Sequence, residues 1–192
     1  MTKGRIEAFS DGVFAIIITI MVLELRAPHG HEWVDFLPLV PIFLCYMLSF
    51  IYVGMFWNGH HQTFHAVRRI GGRVLWANLH FLFWLSLMPF VTGLIGENDF
   101  APVTVFLYAA DILMCSFAFQ ILTMALLKEH GKDSDFARAL GSNRKAKLTT
   151  ACFVVAVALS LVTPILALVV ITLVAALWLV PDSRFAHIVK EI

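Results

Sequence analysis

Long apolar runs separated by short polar clusters dominate the chain. Crossing a bilayer as a helix takes about 20 mostly apolar residues, and stretches meeting that demand lie near residues 8–25, 36–57, 75–95 and 101–127. The last apolar stretch, residues 148–181, is too long for one ordinary span and just long enough for two short ones. Thr163-Pro164 stands at its middle. Proline lacks an amide hydrogen and restrains the residue before it, so a tight reversal is expected there, giving spans 148–163 and 164–181. The pattern predicts an all-α integral membrane protein with six transmembrane helices per subunit, organised as a single domain over residues 1–192.

Composition agrees with the pattern. Of 192 residues, 60% are hydrophobic and 14% charged, and mean hydropathy is +0.84, whereas soluble domains carry about 25% charged residues. A net charge of +1 says little about partners, because in a membrane protein the placement of charges matters more than their sum. With both termini cytoplasmic, Lys3, Arg5, Arg68, Arg69, Arg73, Lys128, Lys132, Arg138, Arg144, Lys145, Lys147, Arg184 and Lys190 lie inside and Arg26 alone lies outside. That is 13 of the 14 basic residues on one side, the bias expected of cytoplasmic loops; five or seven spans would spoil it. The one sizeable polar linker, residues 128–147, suits a solvated cytoplasmic loop. Cys45, Cys115 and Cys152 are isolated in apolar surroundings and read as small core residues rather than a disulfide framework. The first apolar run is broken by Asp11 and has no small-residue cleavage site before Glu24, which argues against a cleavable signal.

The first span raises a specific question of faces. Each helical residue turns about 100°, so Ile16, Ile20 and Leu23 share one stripe, with Thr19 beside it. Asp11 is about 140° around the helix from Ile16 and points elsewhere. A carboxylate near a membrane is costly unless paired, and its candidate partners are Arg5, His60, His61 and Asn78. Ser10 and Asp11 also suit ordinary N-terminal capping and a favourable helix dipole.

The stretch "RIEAFSDGVFAIIITIMVLEL", residues 5–25, resembles the RxxxFSD signature and following helix of the transmembrane protein 175 family of potassium-permeable channels. The likeness continues in "FWNGHHQTF" and "LWANLHFLFWLSLMPF" and covers nearly the whole chain, with Arg5, Phe9, Ser10 and Asp11 as its most specific positions. With one six-span unit the chain is similar to the bacterial members. The resemblance implies a homotetramer in the bacterial inner membrane, with the first helix of each subunit lining the pore. It implies aliphatic constrictions at Ile16, Ile20 and Leu23 and a selectivity-associated hydroxyl at Thr19. Arg5, Phe9, Ser10 and Asp11 would form a structural network with His60 and Asn78 behind the pore helix. Potassium is the implied permeant ion, with other monovalent cations as further candidates; lipid and further copies of the chain are the partners. Taken alone, three aliphatics in an apolar helix also suit plain packing or lipid contact, and a threonine in a span often bonds back to its own helix.

Other constellations carry less. "IYVGMFW", residues 51–57, has a superficial likeness to a carbonyl-lined potassium filter, but no short pore helix precedes it. His60, His61, His65 and His80 invite a metal reading, yet no carboxylate or cysteine completes a site, and polar helix contacts are the better account. "HGHE", residues 29–32, reads as a solvated outer loop. Asp111, about 15 Å into the fourth span at 1.5 Å per residue, is the exception: an intramembrane acid is a functional hypothesis by default. It supports a rival reading, a proton-coupled secondary transporter, against which stands a hydrogen-bonded helix contact. No nucleophile–base pair, P-loop or metal-protease motif points to an enzyme. No cofactor, metal or nucleic acid is expected.

Overall fold

The computed structural model describes residues 2–67, 69–131, 133–140 and 144–179. Arg68, Lys132, Arg184, Lys190 and the end of the last expected span lie outside the described residues. Those described form eight α-helices and two short 3-10 turns, with no strand among them. This is the economical solution in lipid, where each backbone N–H and C=O must find its partner within the chain.

The first helix, α1 (Lys3–Met21), continues through a 3-10 turn at Val22–Glu24. It buries Ile6, Ser10, Phe14, Ile17 and Met21, a stripe with helical spacing, against the rest of the bundle. After a loop containing a second 3-10 turn, α2 (Leu39–His65) returns. α3 (Gly72–Leu85) and α4 (Met88–Glu97) follow as two pieces of one crossing. The interruption at residues 86–87 has a local cause. Pro89 has no N–H to give and its ring crowds the carbonyl of Leu85, so the helix restarts with the proline in its first turn. Ser86 Oγ donates to the Phe83 carbonyl at 2.7 Å, capping the broken end.

Four segments are long and apolar enough to cross a membrane: Lys3–Glu24, Leu39–His65, Gly72–Glu97 and α5 (Pro102–His130). α5 is the central post, packing on α3, α4, α7 and α8. A short α6 (Asp135–Leu140) leads to α7 (Arg144–Ser160) and α8 (Pro164–Leu179). Helical pairing stops at residues 161–163, before Pro164, and α7 and α8 pack together as a hairpin. Its antiparallel sense follows from Trp178 near the end of α8, whose Nε1–H donates to Thr149 Oγ1 near the start of α7 at 2.8 Å. Their described lengths are 17 and 16 residues.

Close packing sets the helix order. A Cβ added to Gly96 would sit 3.0 Å from Ile42 Cα, so only glycine lets α4 approach α2 this closely. A buried polar bridge holds α2, α4 and α5 together. Tyr108 Oη lies 3.0 Å from Ser49 Oγ, and Thr92 Oγ1 lies 2.7 Å from the same oxygen. Tyr52 Oη, in turn, donates to the Ile171 carbonyl at 2.6 Å and ties α8 to α2.

One end of the bundle carries the start of α1, the end of α2, the start of α3 and the end of α5. There the Arg69 backbone N–H donates to His130 Nε2 at 3.3 Å. At the opposite end Arg26 pairs with Glu97 at 3.2 Å. The described basic residues other than Arg26 therefore gather at the first end, which is hereafter the basic end.

Candidate functional site

The basic end of α1 is fixed by a chain of buried amide, imidazole and hydroxyl groups. Asn78 on α3 is the centre: its Nδ2 donates to Ser10 Oγ at 3.0 Å, and its Oδ1 lies 2.9 Å from His60 Nε2. An amide carbonyl only accepts, so this contact requires the proton on His60 Nε2. All three residues are almost wholly buried. The His60 ring stacks on Phe64 with centroids 4.2 Å apart and meets the Phe14 ring edge at 5.7 Å. Phe81 closes the aromatic sleeve at 6.2 Å. Three helices thus meet at one hydrogen-bonded point wrapped in rings, and a buried polar group that is satisfied in this way specifies a single arrangement.

Asp11, one residue on, is exposed and accepts a hydrogen bond from Trp57 Nε1 at 3.0 Å. Its hydrogen-bond partner is therefore outside the set Arg5, His60, His61 and Asn78 suggested by the residue types, while His60 of that set lies within reach of its charge. Trp57 is one helical turn before His60 on α2, and in the sequence it reads as one more apolar residue. The Arg5 side chain is exposed and makes no ion pair or hydrogen bond among the described residues; its backbone N–H donates to the Thr2 carbonyl at 3.2 Å. Phe9 is 53% exposed and lies on the side of α1 away from Ser10.

That side of α1 is the second feature. Ile16, Ile20 and Leu23 are 57%, 43% and 74% exposed, whereas Ile17 between them is 3% exposed. Phe9 falls on the same stripe, seven residues before Ile16, and Thr19 is exposed beside it. The bundle of one chain leaves this strip of its first helix uncovered. Thr19 Oγ1 shares its proton between the Ala15 and Ile16 carbonyls at 3.0 and 2.9 Å. The hydroxyl's donor is consumed within the helix, while oxygen lone pairs remain for a group outside it.

Asp111 lies elsewhere. It is 5% exposed on α5, and neither carboxylate oxygen has a hydrogen-bond partner among the described residues. The other histidines do not converge on it or on one another as ligands. His61 and His65 lie with ring centroids 6.2 Å apart, and His80 Nε2 accepts from Trp84 Nε1 at 3.0 Å. No group of three metal-ligating side chains occurs among the described residues.

An all-helical bundle with several apolar crossings and buried polar ties between them defines a multi-pass membrane protein. Within that class the chain belongs to the TMEM175 family. The family model described as endosomal/lysosomal potassium channel TMEM175 matches residues 5–89, which hold the Ser10–Asn78–His60 chain and all but the first two residues of α1. A protein of Chryseobacterium sp. (strain P1-3) named as a potassium channel is 47% identical over 191 residues, covering all of both chains. The Gallus gallus protein named endosomal/lysosomal proton channel TMEM175 is 30% identical over 155 residues, which are 72% of this chain and 31% of that one. The fold is shared with the crystal structure of a lysosomal potassium-selective channel TMEM175 homolog from Chamaesiphon minutus. The TM-score is 0.76 at 30% identity, over 92% of this chain and 95% of that one. The family is one of ion channels, not enzymes.

Proposed function

We propose that this chain is the subunit of a potassium-permeable cation channel, conducting passively through a homotetrameric pore lined by α1. The observation that carries the pore assignment is the uncovered strip Ile16–Ile20–Leu23 on a helix whose opposite face is locked into its own bundle. Four copies meeting on this strip close rings of aliphatic side chains around an axis. An ion entering such a ring sheds water and gains no oxygen ligand, so the ring is a barrier that opens by wetting. Thr19 supplies an oxygen between Ile16 and Ile20, with its proton already committed to the helix, and so suits partial replacement of an ion's water. The Ser10–Asn78–His60 chain and the Asp11–Trp57 bond hold the base of α1 to the scaffold. Arg5 and Phe9 belong to the same end of the helix.

Six crossings, with α7 and α8 as the two short ones, put both termini on the basic end. The bias of cations toward that end supports a cytoplasmic assignment in a bacterial inner membrane. Potassium and lipid are the expected partners, and no cofactor is needed for passive conduction. The carrier reading rests on the carboxylate of Asp111, which has no hydrogen-bond partner among the described residues. Asp111 stands buried on α5, the helix that packs on α3, α4, α7 and α8, rather than on the uncovered strip of α1.

The test is potassium flux from liposomes containing the purified protein, repeated with Ile16→Asn. A polar side chain in the ring lowers the dewetting barrier, so flux rises several-fold and discrimination against sodium falls. Unchanged flux and selectivity would remove α1 from the pore.

A further inference from the structure

A groove of about 1060 Å3 opens on the outside of the bundle between α3 and α5 at the basic end. Its chemistry is graded. Arg73 near the start of α3 and Lys128 near the end of α5 stand at the rim. Both are exposed, and neither side chain makes an ion pair or hydrogen bond among the described residues. Deeper in the groove Trp76, Ile121 and Met124 line the walls, and His80 lies at the inner end. The two helices run antiparallel, so seven residues separate Arg73 from His80 on one wall and Lys128 from Ile121 on the other, about 10 Å of each helix. Trp76 is 73% exposed about 6 Å from the start of its crossing, the depth at which an indole bridges headgroup and acyl layers. His80 Nε2 is occupied by the Trp84 N–H, so the neutral ring carries its proton on Nδ1 and has a donor free.

We infer that this groove is a binding site for one anionic phospholipid, with the headgroup phosphate between Arg73 and Lys128 and the upper acyl chain along Trp76, Ile121 and Met124. Unpaired cations above an apolar trough match the charge order of such a lipid, and basic pockets between transmembrane helices are suited to acidic headgroups. A soluble anion would satisfy the rim and leave the trough empty. A neutral lipid would fill the trough and leave two cations unpaired. The inference requires that the bundle span a bilayer and does not depend on which helix lines the pore.

The test uses the purified, assembled protein, stripped of lipid and titrated with phosphatidylglycerol or phosphatidylcholine. Binding is read by native mass spectrometry and by quenching of Trp76 with brominated lipid, the signal being the difference from Trp76→Phe. Phosphatidylglycerol is expected to bind more tightly than phosphatidylcholine and to quench Trp76. Arg73→Gln with Lys128→Gln should weaken it about 30-fold, roughly fivefold per cation removed. Arg144→Gln with Lys147→Gln, which removes two exposed cations at the same end outside the groove, should weaken it less than threefold. Equal binding of the two lipids, or equal losses in the two double variants, overturns the proposal. So does a Trp76 that neither lipid quenches, the result if a second copy of the chain covers the groove. The quenching arm needs only the conservative Trp76→Phe change and decides the matter should the charge variants fold poorly.

Discussion

Asn78→Ala is the perturbation that probes the anchor of α1 most directly. It removes two interhelical hydrogen bonds at once, of 3.0 Å to Ser10 and 2.9 Å to His60. Such bonds within a bilayer are worth on average about 0.6 kcal/mol each, with the strongest near 1.7. Both are almost wholly buried, and the partners left behind have no water to turn to, which places them toward the upper part of that range. The expected cost is therefore about 1–3 kcal/mol, roughly 5- to 150-fold in the folding equilibrium. Reversible unfolding in mixed micelles measures it. A double-mutant cycle with Ser10→Ala isolates the Asn78–Ser10 bond, for which a coupling of about 0.5–1.7 kcal/mol is expected. Ser10 is six residues, or about 9 Å, below Ile16 on the same helix. Loosening it should therefore also change potassium flux in liposomes at equal protein incorporation. A coupling indistinguishable from zero would refute the hydrogen-bonded anchor. A measured loss of stability with unaltered flux would show that the anchor supports the fold without bearing on conduction.

Two further substitutions test packing and path. Asp111→Leu replaces a buried carboxylate with no hydrogen-bond partner among the described residues by an apolar group of nearly the same shape; stability in detergent should hold or rise by about 1–3 kcal/mol with potassium flux unchanged. A tenfold fall in flux would put Asp111 on the conduction path and revive the carrier reading. Gly96→Ala drives a methyl to 3.0 Å from the Ile42 backbone and should cost about 1–3 kcal/mol in the same unfolding assay, since α2 and α4 must separate. Gly93→Ala should cost clearly less, because its new methyl meets the mobile carboxylate end of Glu24; equal costs would refute the steric account.

How far the fold was legible follows from what a bilayer demands. Backbone satisfaction forces helices and apolar length forces crossings, so the helical class and the four long crossings can be read from hydropathy. The break at residues 86–87 is written in Pro89, yet a run of apolar residues on both sides hides it within one span. The site divides in the same way. Ser10, Asn78 and His60 are polar residues in apolar helices, and that mismatch announces that they need partners. The partner of Asp11 was hidden, because Trp57 reads as one more apolar residue until its N–H is placed 3.0 Å from the carboxylate. Residue types cannot reveal Phe9 facing away from Ser10 either.

The faces of the bundle are the hardest part, for a physical reason. In a soluble protein an exposed aliphatic stripe is conspicuous, but lipid tails are as apolar as leucine, so lipid-facing and subunit-facing surfaces share one composition. Ile16 at 57% and Phe83 at 56% exposure cannot be told apart by burial. Under the proposed function, polar detail gives the strip on α1 a use that a lipid-facing stripe lacks. A helix turned only to lipid gains nothing from an exposed hydroxyl, and must spend its proton on the backbone to keep one. Thr19 is spent in that way, and its lone pairs face outward between two isoleucines. Such an oxygen has a use where a cation or water passes. The opposite face of α1 is held by the buried Ser10–Asn78–His60 chain, so the helix has little freedom to rotate the strip away. Anchored behind and uncovered in front, α1 has the arrangement that the proposed homotetrameric pore requires.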